Sequence, residues 1–163
     1  MSNKRGFTLL ELLISIFILS VGILGAYIAI EKSSSIANYS YSRLTAAYLA
    51  QEGIEIIRNI KDTNLLEGLV TPGVEWNEGL QDLCYEVEYI NSQNPEPCQE
   101  NLRYLKVGDG LYNYGSGITT KFQRKVIIEP TEEDVLSVSS IVYWQDGTKL
   151  RQFNVWEKFY NWW

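Results

Sequence analysis

The 163-residue sequence contains no histidine. That absence removes the commonest general base and the commonest metal ligand at neutral pH, and it excludes Ser-His-Asp and Cys-His catalysis outright. Cysteine is almost as scarce. Cys84 and Cys98 are the only two, too few for a structural zinc site, which takes four Cys or His ligands. Their separation suits one disulfide, and in an oxidising compartment closing a loop of that size would be worth about 3 kcal/mol. Basic residues are in the minority, 14 against 20 acidic, for a net charge of -6, and Lys4 and Arg5 fall in the first six positions. A body this acidic has no general electrostatic footprint for nucleic acid, so no direct nucleic-acid partner is expected. Proline is missing from the whole stretch between Phe7 and Thr63, so nothing forbids one long helix there. The length allows one domain plus an extension.

What the sequence does have is a long apolar run at its start. From Phe7 to Ile30 every side chain is apolar, small or uncharged except Glu11. As a helix these 24 residues cover about 36 Å against a hydrocarbon core of about 30 Å. The run is too long for a signal-peptide core, Ala26 and Ala29 lack the A-x-A spacing of a cleavage site, and no lipoprotein cysteine follows. An anchor helix with Lys4 and Arg5 on the cytoplasmic side satisfies the positive-inside rule. It leaves Glu11 unexplained, since a carboxylate in a spanning helix costs about 2.5 to 3.5 kcal/mol at the bilayer centre.

The string "KRGFTLLELLISI" resembles the leader and cleavage junction of type IV prepilins and type II secretion pseudopilins. The resemblance implies cleavage between Gly6 and Phe7 by a prepilin peptidase, N-methylation of Phe7, and assembly through the apolar helix into a filament with other pilins at an inner-membrane platform. Glu11 corresponds to the family's glutamate four residues after the cut. It lies one helical turn from the new amine, where the helix dipole favours negative charge. Within a filament core its carboxylate would pair with a neighbour's terminal amine, compensating two charges that are costly alone. The competing reading is a carboxylate that snorkels to the headgroups.

Beyond Ile30 the pattern changes. Residues 31 to 41 are rich in serine, after which Ala46, Leu49, Ala50, Gly53, Ile56, Ile57 and Ile60 recur at three- and four-residue spacing, an amphipathic stripe with one face to bury. Gln51, Glu55, Arg58 and Asn59 lie mostly off it, and Lys61 to Asn64 reads as the helix end. "AYLAQEGIEIIRNIKDTN" resembles the second half of the N-terminal helix in V-type minor pilins and I-type pseudopilins. Gly22 and Gly25 suit close helix packing. Many major pilins of the IVa type have a helix-kinking proline in this region, whereas this chain has Ile28 and its neighbours.

The organisation expected is a leader at 1–6, a transmembrane and polymerisation segment at 7–30, an amphipathic half-helix at 31–64 and a β-rich body at 65–163. Within the body, residues 65 to 82 read as an irregular connection and "LCYEVEYI" alternates as a half-buried strand. "NSQNPEPCQEN" reads as a loop, and "LRYLKV" and "FQRKVIIE" read as further strands. The intervening "GDGLYNYGSG" fits neither dinucleotide nor P-loop spacing and reads as a flexible surface loop. "VSSIVYW" and "TKLRQFNVW" flank Gln145-Asp146-Gly147, which favours a type I′ hairpin whose register the pattern leaves open. Strands folded over the amphipathic half-helix give an α+β body, the architecture that the pilin resemblance also implies.

Two further features invite function. Trp144, Trp156, Trp162, Trp163 and several tyrosines gather toward the end, as an adhesive face or, the favoured reading, as core, interface and strand formers. Glu129, Glu132, Glu133 and Asp134 could hold Ca²⁺, although without a defined loop motif a solvated turn around Pro130 is the favoured reading. The sequence thus points to a non-enzymatic minor pilin with no cofactor or metal. A secretion or competence pseudopilin is the second choice, and a single-span receptor or adhesin that never polymerises is the rival of another class.

Overall fold

The computed structural model describes residues 8–81, 83–89, 95–132 and 134–161. One helix, α1 (Leu9–Gly68), precedes the strands β1 (Leu83–Glu86), β2 (Glu96–Pro97), β3 (Tyr104–Gly108), β4 (Leu111–Asn113), β5 (Ile118–Glu132), β6 (Val135–Asp146) and β7 (Lys149–Tyr160). The chain divides into two compact units, 1–41 and 42–163, and α1 contributes to both. With no proline before Pro72, α1 continues a turn beyond the expected end at Asn64. It stops where Val70 and Thr71 both donate their backbone N–H to the Glu67 carbonyl, at 3.0 and 2.7 Å.

In the second unit the predicted stripe is the buried face of α1. Ala46, Leu49, Ala50, Gly53, Ile56, Ile57 and Ile60 are all buried, joined by Ser42, Ile54 and Lys61, while Gln51, Glu55 and Asn59 stay exposed. Burying four isoleucines contributes about 1.5 to 3 kcal/mol each relative to exposure. They meet Tyr85, Val87, Val126, Ile128, Leu136, Val138 and Phe159 in one core, with Leu80 beneath and Trp76 and Val155 at its margin.

The sheet is antiparallel throughout and organised on β5. One edge of β5 is shared, its first part pairing with β3 and its second with β1, whereas the other edge pairs along its length with β6. β7 then pairs with β6 and closes that side. Helix on antiparallel sheet is the pilin-like α+β architecture expected from the sequence.

Four local readings differ. "LCYEVEYI" is a strand only over Leu83–Glu86, and its alternation fails because Glu86 is buried between Tyr85 and Val87. The carboxylate is compensated there by Arg103. The Gly-rich stretch is a β3–β4 hairpin: Asp109 and Gly110 both take positive φ, 52° and 80°, as a type I′ turn requires. The β6–β7 turn is not centred on Asp146-Gly147. Asp146 pairs with Lys149, leaving Gly147-Thr148 as the two-residue loop, with positive φ at Gly147 alone, the type II′ sign pattern. Finally, Pro130 lies inside β5 opposite Leu136, next to a register shift. Glu129 and Glu132 therefore lie on a strand instead of a solvated turn.

Candidate functional site

The first unit presents an apolar helix to its surroundings. Its large side chains from Leu9 to Ile30 are all at least half exposed, Leu9 at 77% and Phe17 at 69%. It is a helix long and apolar enough to cross a membrane. So large a contiguous apolar surface is not stable in water and calls for lipid or other helices around it. Two hydroxyls on it are already satisfied internally, as lipid or a filament core demands. Ser15 donates to the Glu11 carbonyl and Ser20 to the Ile16 carbonyl, each at 2.7 Å. A Cβ built on Gly22 or Gly25 would meet nothing within 4 Å, so either point is open to a neighbouring helix.

At the start of this helix Thr8 acts as the N-cap. Its side-chain Oγ1 accepts from the Glu11 backbone N–H at 3.3 Å, and its carbonyl accepts from Leu12 at 3.1 Å. The signal was in the sequence, as Thr8-x-x-Glu11 before an apolar run is the capping-box pattern. Glu11 is exposed, so its carboxylate is available to a partner outside the chain. Gly6 and Phe7, the cleavage and methylation positions, lie outside the described residues.

Cys84 and Cys98 form a disulfide with a Cα–Cα distance of 5.3 Å. It clamps the short β1–β2 pairing, where Cys98 N–H also donates to the Cys84 carbonyl at 2.8 Å. Next to it the buried Glu86 accepts from the Arg103 backbone N–H at 2.7 Å and from its Nε at 3.0 Å. Arg103 also reaches Glu96 at 2.6 Å and stacks over the Tyr114 ring at 4.5 Å. Burial pulls the Arg103 guanidinium down, but bonding to Glu86 and the charge of Glu96 hold it above its ordinary value. Arg58 is held above its ordinary value chiefly by its hydrogen bond to Glu157 on β7.

Arg124 is the residue the sequence reading passed over. Its side chain is fully buried, donating to the Leu49 carbonyl of α1 at 2.9 Å and to the Val87 carbonyl at 2.5 Å, with the Glu52 carboxylate at 3.5 Å. Period-two placement would have found it, because Phe122, Arg124, Val126 and Ile128 share one face of β5 and the other three are core. Above it, Tyr114 donates its hydroxyl to the Arg124 carbonyl at 3.2 Å, and burial pushes that phenol up to about 12.

The remaining candidates separate. Trp144 is buried against Phe122, while Trp156 is 65% exposed; Trp162 and Trp163 lie outside the described residues. Of the acidic group, Glu133 lies outside them as well. Asp134 engages the chain end, accepting from the Asn161 backbone and side chain at 3.0 Å each. Among the described residues no three acidic or sulfur ligands converge on a cation position.

Residues 1–27 match the family model of the prokaryotic N-terminal methylation motif. Neither a curated protein nor a solved structure matches the chain. The motif implies processing by a prepilin peptidase, and together with the apolar helix it is consistent with an inner-membrane prepilin before assembly. The chain therefore carries, on a pilin-like α+β fold, the N-terminal methylation motif typical of type IV pilins and type II secretion pseudopilins.

Proposed function

We propose that this chain is a minor type IV pilin, a structural subunit and not an enzyme. It is inserted in the inner membrane, cut after Gly6, methylated at Phe7 and drawn by an assembly platform into an extracytoplasmic filament with other pilins. The observation that carries this reading is an apolar helix, capped at Thr8 and bearing one exposed carboxylate at Glu11, whose continuation docks on an antiparallel sheet. Such a helix has two environments in succession. In the bilayer its side chains are solvated by lipid, with Glu11 close to one surface. In the filament the same side chains pack on neighbouring helices, and Glu11 pairs with the amine of the next subunit's Phe7. The favourable term is that both buried charges are then compensated. A helix without proline, unlike that of many major IVa pilins, favours a minor subunit.

Mass spectrometry of the mature N-terminus tests the class. N-methyl-Phe beginning at residue 7 supports the reading, whereas an intact Met1 removes it and leaves a single-span receptor or adhesin. Immunogold labelling then separates the pilin from the pseudopilin: label on extended surface fibres supports the former, and label confined to the envelope the latter.

A further inference from the structure

The globular body is electrically polar along its long direction. Lys121 donates to Ser42 at 2.7 Å, which fixes the start of β5 beside the first helical residues of the second unit. Pair register brings other cations to this near end: Lys106 faces Thr119, and Lys149 and Arg151 lie at the β6–β7 tip beside the level of Phe122. With the exposed Arg43 they form a basic rim. Its countercharges are Asp109 in the β3–β4 turn, Asp146, which pairs with Arg151 at 3.7 Å, and the half-buried Glu88, whose carboxylate is taken up by the Tyr114 backbone N–H at 2.7 Å.

The far end is the reverse. Glu67 lies in the last turn of α1, Glu75 and Glu78 in the segment that Asn64 holds through the Trp76 and Glu78 carbonyls, and Glu129, Glu132 and Asp134 at the β5–β6 end. All six are exposed. Of the basic residues nearest them, Lys61 is buried beside Asp62 and Arg58 is engaged with Glu55 and Glu157, which leaves Lys158 on the outer surface. Two rulers agree on the separation of the ends. The run of β5 from Lys121 to Glu132 spans about 36 Å, and the run of α1 from Ser42 to Glu67 about 38 Å. That is several Debye lengths, so each end acts as its own patch.

We propose that the body associates head to tail with a second copy of itself, the basic rim of one copy seating on the acidic end of the next. The ends of this one chain are complementary to each other, whereas like ends repel. The charges therefore reject head-to-head and tail-to-tail contacts and select one polarity. A heterologous contact of this kind does not close on itself and propagates as a row. This rests on the assembly reading and deepens it by naming which ends of the body meet, and the contact is measurable without a filament.

The test uses the full chain in detergent micelles with a carbodiimide, which joins an amine directly to a carboxylate in contact with it. A link between ends about 36 Å apart along one body arises only between copies. The expected result is links from Lys106, Lys121 or Lys149 to Glu67, Glu75, Glu78 or Glu132, falling several-fold at about 1 M salt, where the Debye length is about 3 Å. Arg43→Glu with Lys149→Glu should lose most of the links, as should Glu75→Lys with Glu78→Lys. The chain carrying all four changes should regain them with amine and carboxylate exchanged. All four sites are exposed, and an unchanged thermal midpoint verifies folding. Absence of end-to-end links at low salt, equal yield between like ends, or no recovery in the fourfold variant overturns the proposal. An unprocessed N-terminus in the host would instead overturn the assembly reading and leave the contact standing.

Discussion

The guanidinium of Arg124 donates to the carbonyl of Leu49 across 2.9 Å, joining the centre of the sheet to the second half of α1 through a fully buried charge. The same group reaches Val87 and the carboxylate of Glu52. Removing it would strand two carbonyls and open a cavity. Arg124→Ala should therefore destabilise the body by about 3 to 5 kcal/mol, the range for breaking a buried charged network. Chemical denaturation checks this. A loss under about 1 kcal/mol, the ordinary effect of a surface change, would show that the contact is incidental.

At Gly53 the helix packs directly against β5 and β6. A Cβ there would clash with Ser140 Oγ and lie 3.2 Å from Arg124 Cδ. Gly53→Ala should cost about 1 to 3 kcal/mol through overpacking, despite its better helix propensity. Because Ser140 Oγ is buried with no hydrogen-bond partner among the described residues, Ser140→Ala should be nearly neutral alone and should recover part of the loss in the double variant. Strict additivity in the double-mutant cycle would argue against this contact.

Tyr114 gives the body an alkaline limit. Burial, opposed by the nearby Arg124 charge, pushes its phenol up to about 12 from an unfolded value near 10. The neutral form is the one the fold favours, so the stabilisation is complete below pH 10. It is lost as the pH rises from 10 toward 12, because there the unfolded chain ionises and the folded one does not. The loss is of order 2 to 3 kcal/mol. Tyr114→Phe should flatten that part of the stability profile, measured by urea midpoints across the range.

The Cys84–Cys98 disulfide closes the strand pairing that holds Glu86 beside Arg103. Replacing both cysteines with alanine should lower stability by about 2 to 5 kcal/mol, most of it from the freer unfolded chain. A reductant titration followed by circular dichroism should show the same loss in the native protein and no further loss in the variant.

Glu11→Ala should be cleaved and methylated normally yet fail to enter filaments, since leader processing precedes the step at which the carboxylate finds its partner. Cell fractionation with mass spectrometry of the N-terminus reads both outcomes together. Wild-type incorporation of the variant would leave Glu11 with only its local place next to the Thr8 cap.

Periodicity carries most of what was legible in advance. Every residue of the predicted stripe from Ala46 to Ile60 is buried, because three- and four-residue spacing needs only local helical geometry to become a surface, while Ser42, Ile54 and Lys61 join that face without having been read into it. The apolar run to Ile30 and the charge at Glu11 likewise needed only composition and a motif. What stayed hidden depends on partners distant in the chain. The Gly-rich segment is a hairpin because Asp109-Gly110 lets β4 pair back on β3, and Glu86 breaks its strand's alternation because Arg103 comes to meet it.

The sequence by itself determined an apolar helix for lipid or a filament core, a processing motif ahead of it, and an α+β body with one half-helix to cover. Each follows from short-range rules of hydrophobicity, spacing and chain geometry. Only the tertiary structure decided the β6–β7 register, the burial of Arg124, the close approach at Gly53 and the opposite charge of the two ends of the body. Those are consequences of which residues the fold brings side by side, and local spacing does not encode contacts between positions as far apart as Leu49 and Arg124.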